Sequence, residues 1–183
     1  RQFASIDHVS GGRVGWNIVT SFSPAAGRNF GKIGKLDHSL RYEMGEEFVT
    51  IAKALWDSWD DDAVLDDRAG GVYVQKDRVR PIDYAGKHYT VAGPLNLPRS
   101  PQGRPVLVQA GSSESGMNFA ARHAEAVFTA HLEKSTAQDF YRDLKARVVA
   151  AGRPADQSLI LPGLSPMIGG TENEAKQLVQ SLD

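Results

Sequence analysis

Three groups of side chains in this sequence could grip a small anionic or planar ligand: the Ser112-Ser113 pair, His38 with Tyr42, and Asn17. The serines follow Gly111 inside VLVQAGSSESGMNFAARHAEAVF, where an apolar run hands over to a helix-like stretch. The opening turn of a helix exposes N–H groups and the positive end of its dipole, so an anion is at home there. Serine hydroxyls add donors without adding charge, and a phosphate monoester would fit. The same serines are good helix caps, and spacing alone leaves both roles open. The stretch has neither the Gly-Lys-Ser/Thr of a Walker loop nor a Gly-x-Gly-x-x-Gly fingerprint.

His38 and Tyr42 sit four apart in DHSLRY, on one face at the start of a long amphipathic stretch. They could clamp an anionic or planar ligand, or simply pack at a half-buried surface. No second histidine or carboxylate stands at a spacing that would complete a metal site. Asn17, in VGWNIVTS, offers both a donor and an acceptor, which a flavin or nucleobase edge would use. It could equally be a polar core residue satisfied from within.

The elements that must position these groups follow from patterning. VGWNIVTS (14–21) suits a strand buried on both faces. Leu40, Met44, Phe48, Ile51 and Leu55 mark a helix over 37–59, with Gly45 inside it pointing to a close approach. Further along, a strand at 106–110, a helix at 114–124, a strand at 125–130, a helix at 135–151 and a strand at 158–162 alternate. A last helix starts at Thr171, with Glu174 completing a capping box. At the front, Phe3, Ile6 and Val9 read as a buried helix face stopped by Gly11-Gly12, and 23–34 is loop chemistry. Residues 60–104 break the alternation; GGVYVQ, RVRPIDY and KHYTV predict small hairpins in an inserted excursion.

Strands separated by helices predict an α/β fold with a parallel sheet, either a small open domain or about four βα units of a (β/α)8 barrel. Both place ligands beyond the carboxyl ends of the strands. The start, RQFASIDHVSGGR, reads as the end of a helix already under way, so a partial barrel truncated at both ends is the expectation.

Composition narrows the partners. With 21 basic and 22 acidic residues interspersed over 183 positions, no basic stripe points to nucleic acid, and a small-molecule ligand is expected. The absence of cysteine removes disulfides and a thiol nucleophile together. No apolar run approaches ~18 residues and no signal-peptide pattern opens the chain, which points away from the membrane and to a cytoplasmic protein.

ASIDHVSGGRVGWNIVTS, NFG, HSLRYEMGEEF, LWDSWDDDA and GPLNLPRSPQGRPVLVQAGSSESG together resemble the bacterial luciferase-like monooxygenases, specifically the branch of nitrilotriacetate monooxygenase component A and dibenzothiophene sulfone monooxygenase. The resemblance runs from residue 1 to about 130 and implies a TIM barrel that binds reduced FMN delivered by a separate NAD(P)H-dependent flavin reductase. The flavin would activate oxygen as a C4a-peroxide while the protein positions it and keeps water away. Carried over by position, Ser112 and Ser113 would hold the FMN phosphate beside Gly111, His38 and Tyr42 would line the same site, and Asn17 would lie beside the isoalloxazine. The family also implies a homo-oligomer. Two rivals remain at this stage: a deazaflavin-dependent oxidoreductase on a related barrel, and a non-catalytic assembly module.

Overall fold

The computed structural model describes residues 1–20, 25, 28 and 37–181. Apart from Ala25 and Arg28, which are helical where the sequence predicts a loop, the stretch 23–34 lies outside the described residues, as does the NFG motif. In chain order the elements are α1 (Gln2–Ser10), β1 (Gly15–Asn17), α2 (His38–Trp56), β2 (Val64–Asp67), β3 (Val72–Val74), β4 (Tyr84–Ala85), β5 (Thr90–Val91), β6 (Val106–Gln109), α3 (Glu114–His123), β7 (Ala126–Ala130), α4 (Lys134–Ala150), β8 (Leu159–Gly163) and α5 (Glu172–Gln180).

The α/β expectation holds. β1, β6, β7 and β8 form one four-stranded sheet in that order, and every neighbouring pair is parallel. Each strand is short, and its sidedness follows from register. Gly15, Trp16 and Asn17 lie opposite Val106, Leu107 and Val108. Trp16 and Leu107 therefore share the face that packs under the helices, while Asn17 and Val108 share the other. VGWNIVTS is thus not buried on both faces: Ile18 is buried, whereas Gly15, Asn17 and Val19 are exposed. Phe128, Leu159 and Leu161 continue that exposed apolar face.

Two clusters fill the space beneath the helices. One joins α3, α4 and β7 through Met117, Ala121, Val127, Phe140, Leu144 and Val148. The other joins α1, α2 and α3 to the sheet through Ala4, Ile18, Val49, Trp56, Leu107 and Phe119. The stripe expected on α2 is rotated in the structure: Ile51 is buried, but Phe48 is half exposed, and Val49 and Trp56 take the innermost places. The reason lies in Trp16, whose ring stands edge-on to both Phe48 and Trp56 at 5.9 and 5.7 Å and fixes how α2 rolls on the sheet. Gly45 is where the helix comes closest, since a Cβ there would sit 3.2 Å from Thr20 Cγ2.

The α1 face also differs from expectation. Ile6 and Val9 are exposed, while Ala4 and Asp7 are buried. The Asp7 carboxylate accepts from the Gln102 N–H (3.2 Å), the Gln102 side-chain amide (2.6 Å) and the Val14 N–H (3.3 Å), so the loop before β6 docks on that side of the helix. Gly11 ends α1 in the left-handed region (φ 65°), as its position after the last apolar residue predicts.

Between α2 and β6 the hairpins form as β2–β3 and β4–β5, both antiparallel. β2 arises inside the acidic stretch 60–67, whose composition hid it, and all four of its residues are exposed. The capping box at Thr171 and Glu174 is present at the start of α5.

Candidate anion and cofactor site

At the carboxyl end of β6 the chain turns at Gly111 and enters α3. Gln109, the last residue of β6, is buried, and its side-chain oxygen accepts the Gly111 N–H, which tightens the turn. Ser113 is the N-cap of α3; its Oγ accepts the Gly116 N–H at 3.2 Å. The capping role considered for the serines is therefore real for Ser113. It leaves the amides ahead of Gly116 in the same turn without intrahelical acceptors, as at the start of any helix.

α2 opens at the same corner. Asp37 caps it by accepting the Ser39 N–H at 3.0 Å, and the Ser39 hydroxyl and N–H hold the Asp37 carboxyl below the usual carboxylate range. His38, the first residue of α2, brings Nε2 within 3.4 Å of Ser113 Oγ. Its ring lies 5.0 Å from that of Tyr42, which in turn stands edge-on to the buried Phe119 at 5.7 Å. Two helix N-termini, both positive dipole ends, thus meet beyond one strand end.

The corner is held open by glycine. A Cβ on Gly111 would lie 2.9 Å from Tyr42 Oη and 3.2 Å from Gly116 Cα; one on Gly116 would lie 2.9 Å from Tyr42 Oη and 3.0 Å from the Gly111 carbonyl carbon. No side chain larger than hydrogen fits either position without displacing main chain. Between the ends of β1 and β6 and the first turn of α2 lies a cavity of about 300 Å3, lined among others by His38, Arg41, Tyr42, Gln109 and Gly111.

The structure therefore brings together Gly111, Ser113, His38 and Tyr42, with Ser112 exposed in the turn between β6 and α3. Asn17 is not in this group. It points from β1 to the exposed face of the sheet, level with Val108, one residue short of Gln109. Three further residues belong to the corner and were not singled out from sequence. Arg41 lines the cavity from inside DHSLRY, Gln109 shapes the turn, and Gly116 permits the close approach. A glycine in the first turn of a helix was the available signal for the last of these.

A phosphate-bearing cofactor suits these donors: main-chain amides and hydroxyls, in a turn that glycine keeps shallow. Among the described residues no helix is long and apolar enough to cross a membrane.

The family model described as luciferase-like monooxygenase matches residues 1–182. The chain is 43% identical over 182 residues to an N-acetyl-S-(2-succino)cysteine monooxygenase of Bacillus subtilis, covering 100% of this chain and 41% of that protein. It is 46% identical over 176 residues to nitrilotriacetate monooxygenase component A of Aminobacter aminovorans, covering 96% of this chain and 39% of that protein. Among solved structures, a riboflavin lyase with modified FMN and riboflavin superposes with a TM-score of 0.92 at 38% identity, over 100% of this chain and 41% of the lyase. The chain spans about two fifths of the length of these curated relatives.

Proposed function

Because the chain belongs to the luciferase-like monooxygenase family, we propose that the intact protein is the oxygenase of a two-component system that uses reduced FMN and molecular oxygen on a small organic substrate. A separate NAD(P)H-dependent flavin reductase supplies the cofactor, which puts both proteins in the cytoplasm, where that reductant is made. One relative is named a component A, a description that fits such a division of labour. The observation that carries the reading is the corner where α2 and α3 both begin, with Ser113 and His38 facing each other across 3.4 Å and two glycines opening the main chain.

In this reading the amides of the first turn of α3 and the hydroxyls of Ser112 and Ser113 hold the phosphate of FMN. Arg41 adds charge, and His38 and Tyr42 wall the cofactor. Asn17, on the exposed sheet face, stands where a barrel interior would be and offers its amide to the edge of the flavin ring. When bound, the flavin supplies the oxygen-activating chemistry; the protein's part is to orient it and exclude water. The hairpins β2–β3 and β4–β5 are then an insertion that shapes the substrate side, and the intact protein is a homo-oligomer.

The test is a fluorescence titration of the intact protein with FMN and with riboflavin, which lacks the phosphate. Ser112→Ala/Ser113→Ala should weaken FMN by ~10-fold or more, a loss of ~1.4 kcal/mol, and leave riboflavin unchanged. Equal FMN affinity in the variant would sink the phosphate assignment and favour a non-catalytic module. Oxygen consumption with reduced FMN but not with reduced deazaflavin separates the monooxygenase from the hydride-transfer alternative, which the monooxygenase names of the relatives already disfavour.

A further inference from the structure

The opposite end of the same sheet holds a second, larger cavity. It lies where β6, β7 and β8 begin, has a volume of about 530 Å3, and is lined by Lys53, Arg104, Arg122 and Arg153 against Glu125 and Asp156. Four cationic side chains face two carboxylates, and one of the two, Glu125, also accepts the Leu107 N–H at 2.8 Å.

Two of the cations have neutral hydrogen-bond partners. Arg153 donates to the carbonyls of Ala121, Ala124 and Gln157, closing the end of α3 and the turn after α4. Lys53, on α2, donates to His123 Nδ1 at 3.2 Å. The other ring nitrogen of His123 lies 2.6 Å from a Glu46 carboxylate oxygen, which can only accept. The ring proton therefore sits on Nε2, and Nδ1 is fixed as an acceptor aimed at Lys53. Glu46 is itself engaged by Arg122. Burial, together with repulsion from Arg104 and Arg153, pushes the Lys53 ammonium below its ordinary value, and burial does the same for Arg153. Positive charge is thus collected in a concave site without a carboxylate hydrogen-bonded to Lys53 or Arg153 among the described residues.

We propose that this cavity is an anion site for a phosphate group, free or as a monoester, at the end of the sheet remote from the cofactor corner. Arg122 and Arg104 are already paired with Glu46 and Asp57, so Lys53 and Arg153, which have no carboxylate hydrogen-bonded to them among the described residues, are the two cations a phosphate dianion would balance, and its oxygens accept from ammonium and guanidinium groups alike. The cavity is larger than phosphate alone, which leaves room for the organic part of an ester. Lys53 is the central donor, and Arg104 extends the site toward the loop before β6.

Calorimetric titration of the intact protein with inorganic phosphate tests this. It is best done in the Ser112→Ala/Ser113→Ala background, so that the cofactor corner does not compete. Adding Lys53→Met should weaken phosphate by ~10-fold or more, Arg104→Gln should weaken it by a smaller factor, and Lys53→Arg should restore it to within a few-fold of the starting value. Phenyl phosphate in a parallel titration distinguishes the two sources. Tighter binding than inorganic phosphate assigns the site to esters and weaker binding assigns it to free phosphate, and either upholds the site. Unchanged affinity in Lys53→Met, or no binding of either anion at millimolar concentration, overturns the proposal.

Discussion

The two ends of this sheet solve the problem of handling charge in opposite ways. At the carboxyl end, Gly111, Gly116 and Ser113 present main chain and hydroxyls, and both the dipole of α2 and that of α3 point inward. At the other end, formal charges carry the field: Lys53, Arg104 and Arg153 line the cavity, and a Glu46–His123–Lys53 chain holds Lys53 in place. Donors of the first kind are rigid and cheap to dehydrate. Those of the second are long side chains that repel one another when the cavity holds only water. The contrast predicts that the first end is sensitive to shape and the second to pH and ionic strength.

One residue joins the two. Phe119 is fully buried, with its ring 5.7 Å from Tyr42 on one side and 5.0 Å from His123 on the other. Phe119→Ala should therefore be the most damaging single change, costing ~3–5 kcal/mol in a denaturant titration of the intact protein. It should also weaken flavin at one end and phosphate at the other. Loss at one end alone would show that the ends are packed independently.

Next in size is Gly116→Val. Its side chain would have to displace Tyr42 Oη and the main chain at Gly111, at a cost of about 1–3 kcal/mol from overpacking. Flavin binding should fall with it, while phosphate binding at the far end should stay as it was. If Gly116→Val binds FMN with wild-type affinity, shape is not what governs the carboxyl end.

How far the sequence reveals these arrangements depends on whether the cause is local. The alternation of strands and helices, the capping box at Thr171, the stop at Gly11 and the Gly111–Ser113 turn are written in neighbouring residues and read correctly. The roll of α2 is not. Leu40, Met44, Phe48, Ile51 and Leu55 are spaced as well as Val49, Ala52 and Trp56, and it takes Trp16, on another strand, to choose between the two stripes. Asp7 is a sharper case, since a buried carboxylate in a short helix makes sense only with Gln102, 95 residues away, bonded to it. The cationic cavity stayed hidden for the same reason: its residues come from α2, α3 and the segments before β6 and after α4, and none stands out in a chain of near-balanced charge.

The charged end carries the pH dependence. Burial raises the Glu46 carboxyl, but hydrogen bonds from His123 and Arg122 outweigh it and hold the group below its ordinary value. A depressed carboxylate contributes stability that is present above its unfolded pKa of about 4.3 and is lost as pH falls through the lower folded value. Glu46→Gln should cost about 1–2 kcal/mol at neutral pH, since it leaves one neutral oxygen where two charged ones accepted from Arg122 and His123. It should also flatten the loss of stability on acidification below about pH 5. An acid melt with the wild-type slope would show that Glu46 is not the group that titrates.

The smallest effect has the opposite sign. Lys53 is held below its ordinary value, so the unfolded chain binds its proton more readily than the folded one does. At neutral pH the charged amine therefore destabilises the fold, and stability recovers as pH rises through the folded toward the unfolded pKa. Lys53→Met keeps the length of the stem and removes the charge, so it should leave the melting temperature equal or slightly raised in phosphate-free buffer. In phosphate the ordering should reverse, because the bound anion stabilises only the chain that retains the ammonium. A variant that melts lower than wild type in both buffers would mean that Lys53 serves the packing around His123, and the contrast between the two ends of the sheet would then be one of shape alone.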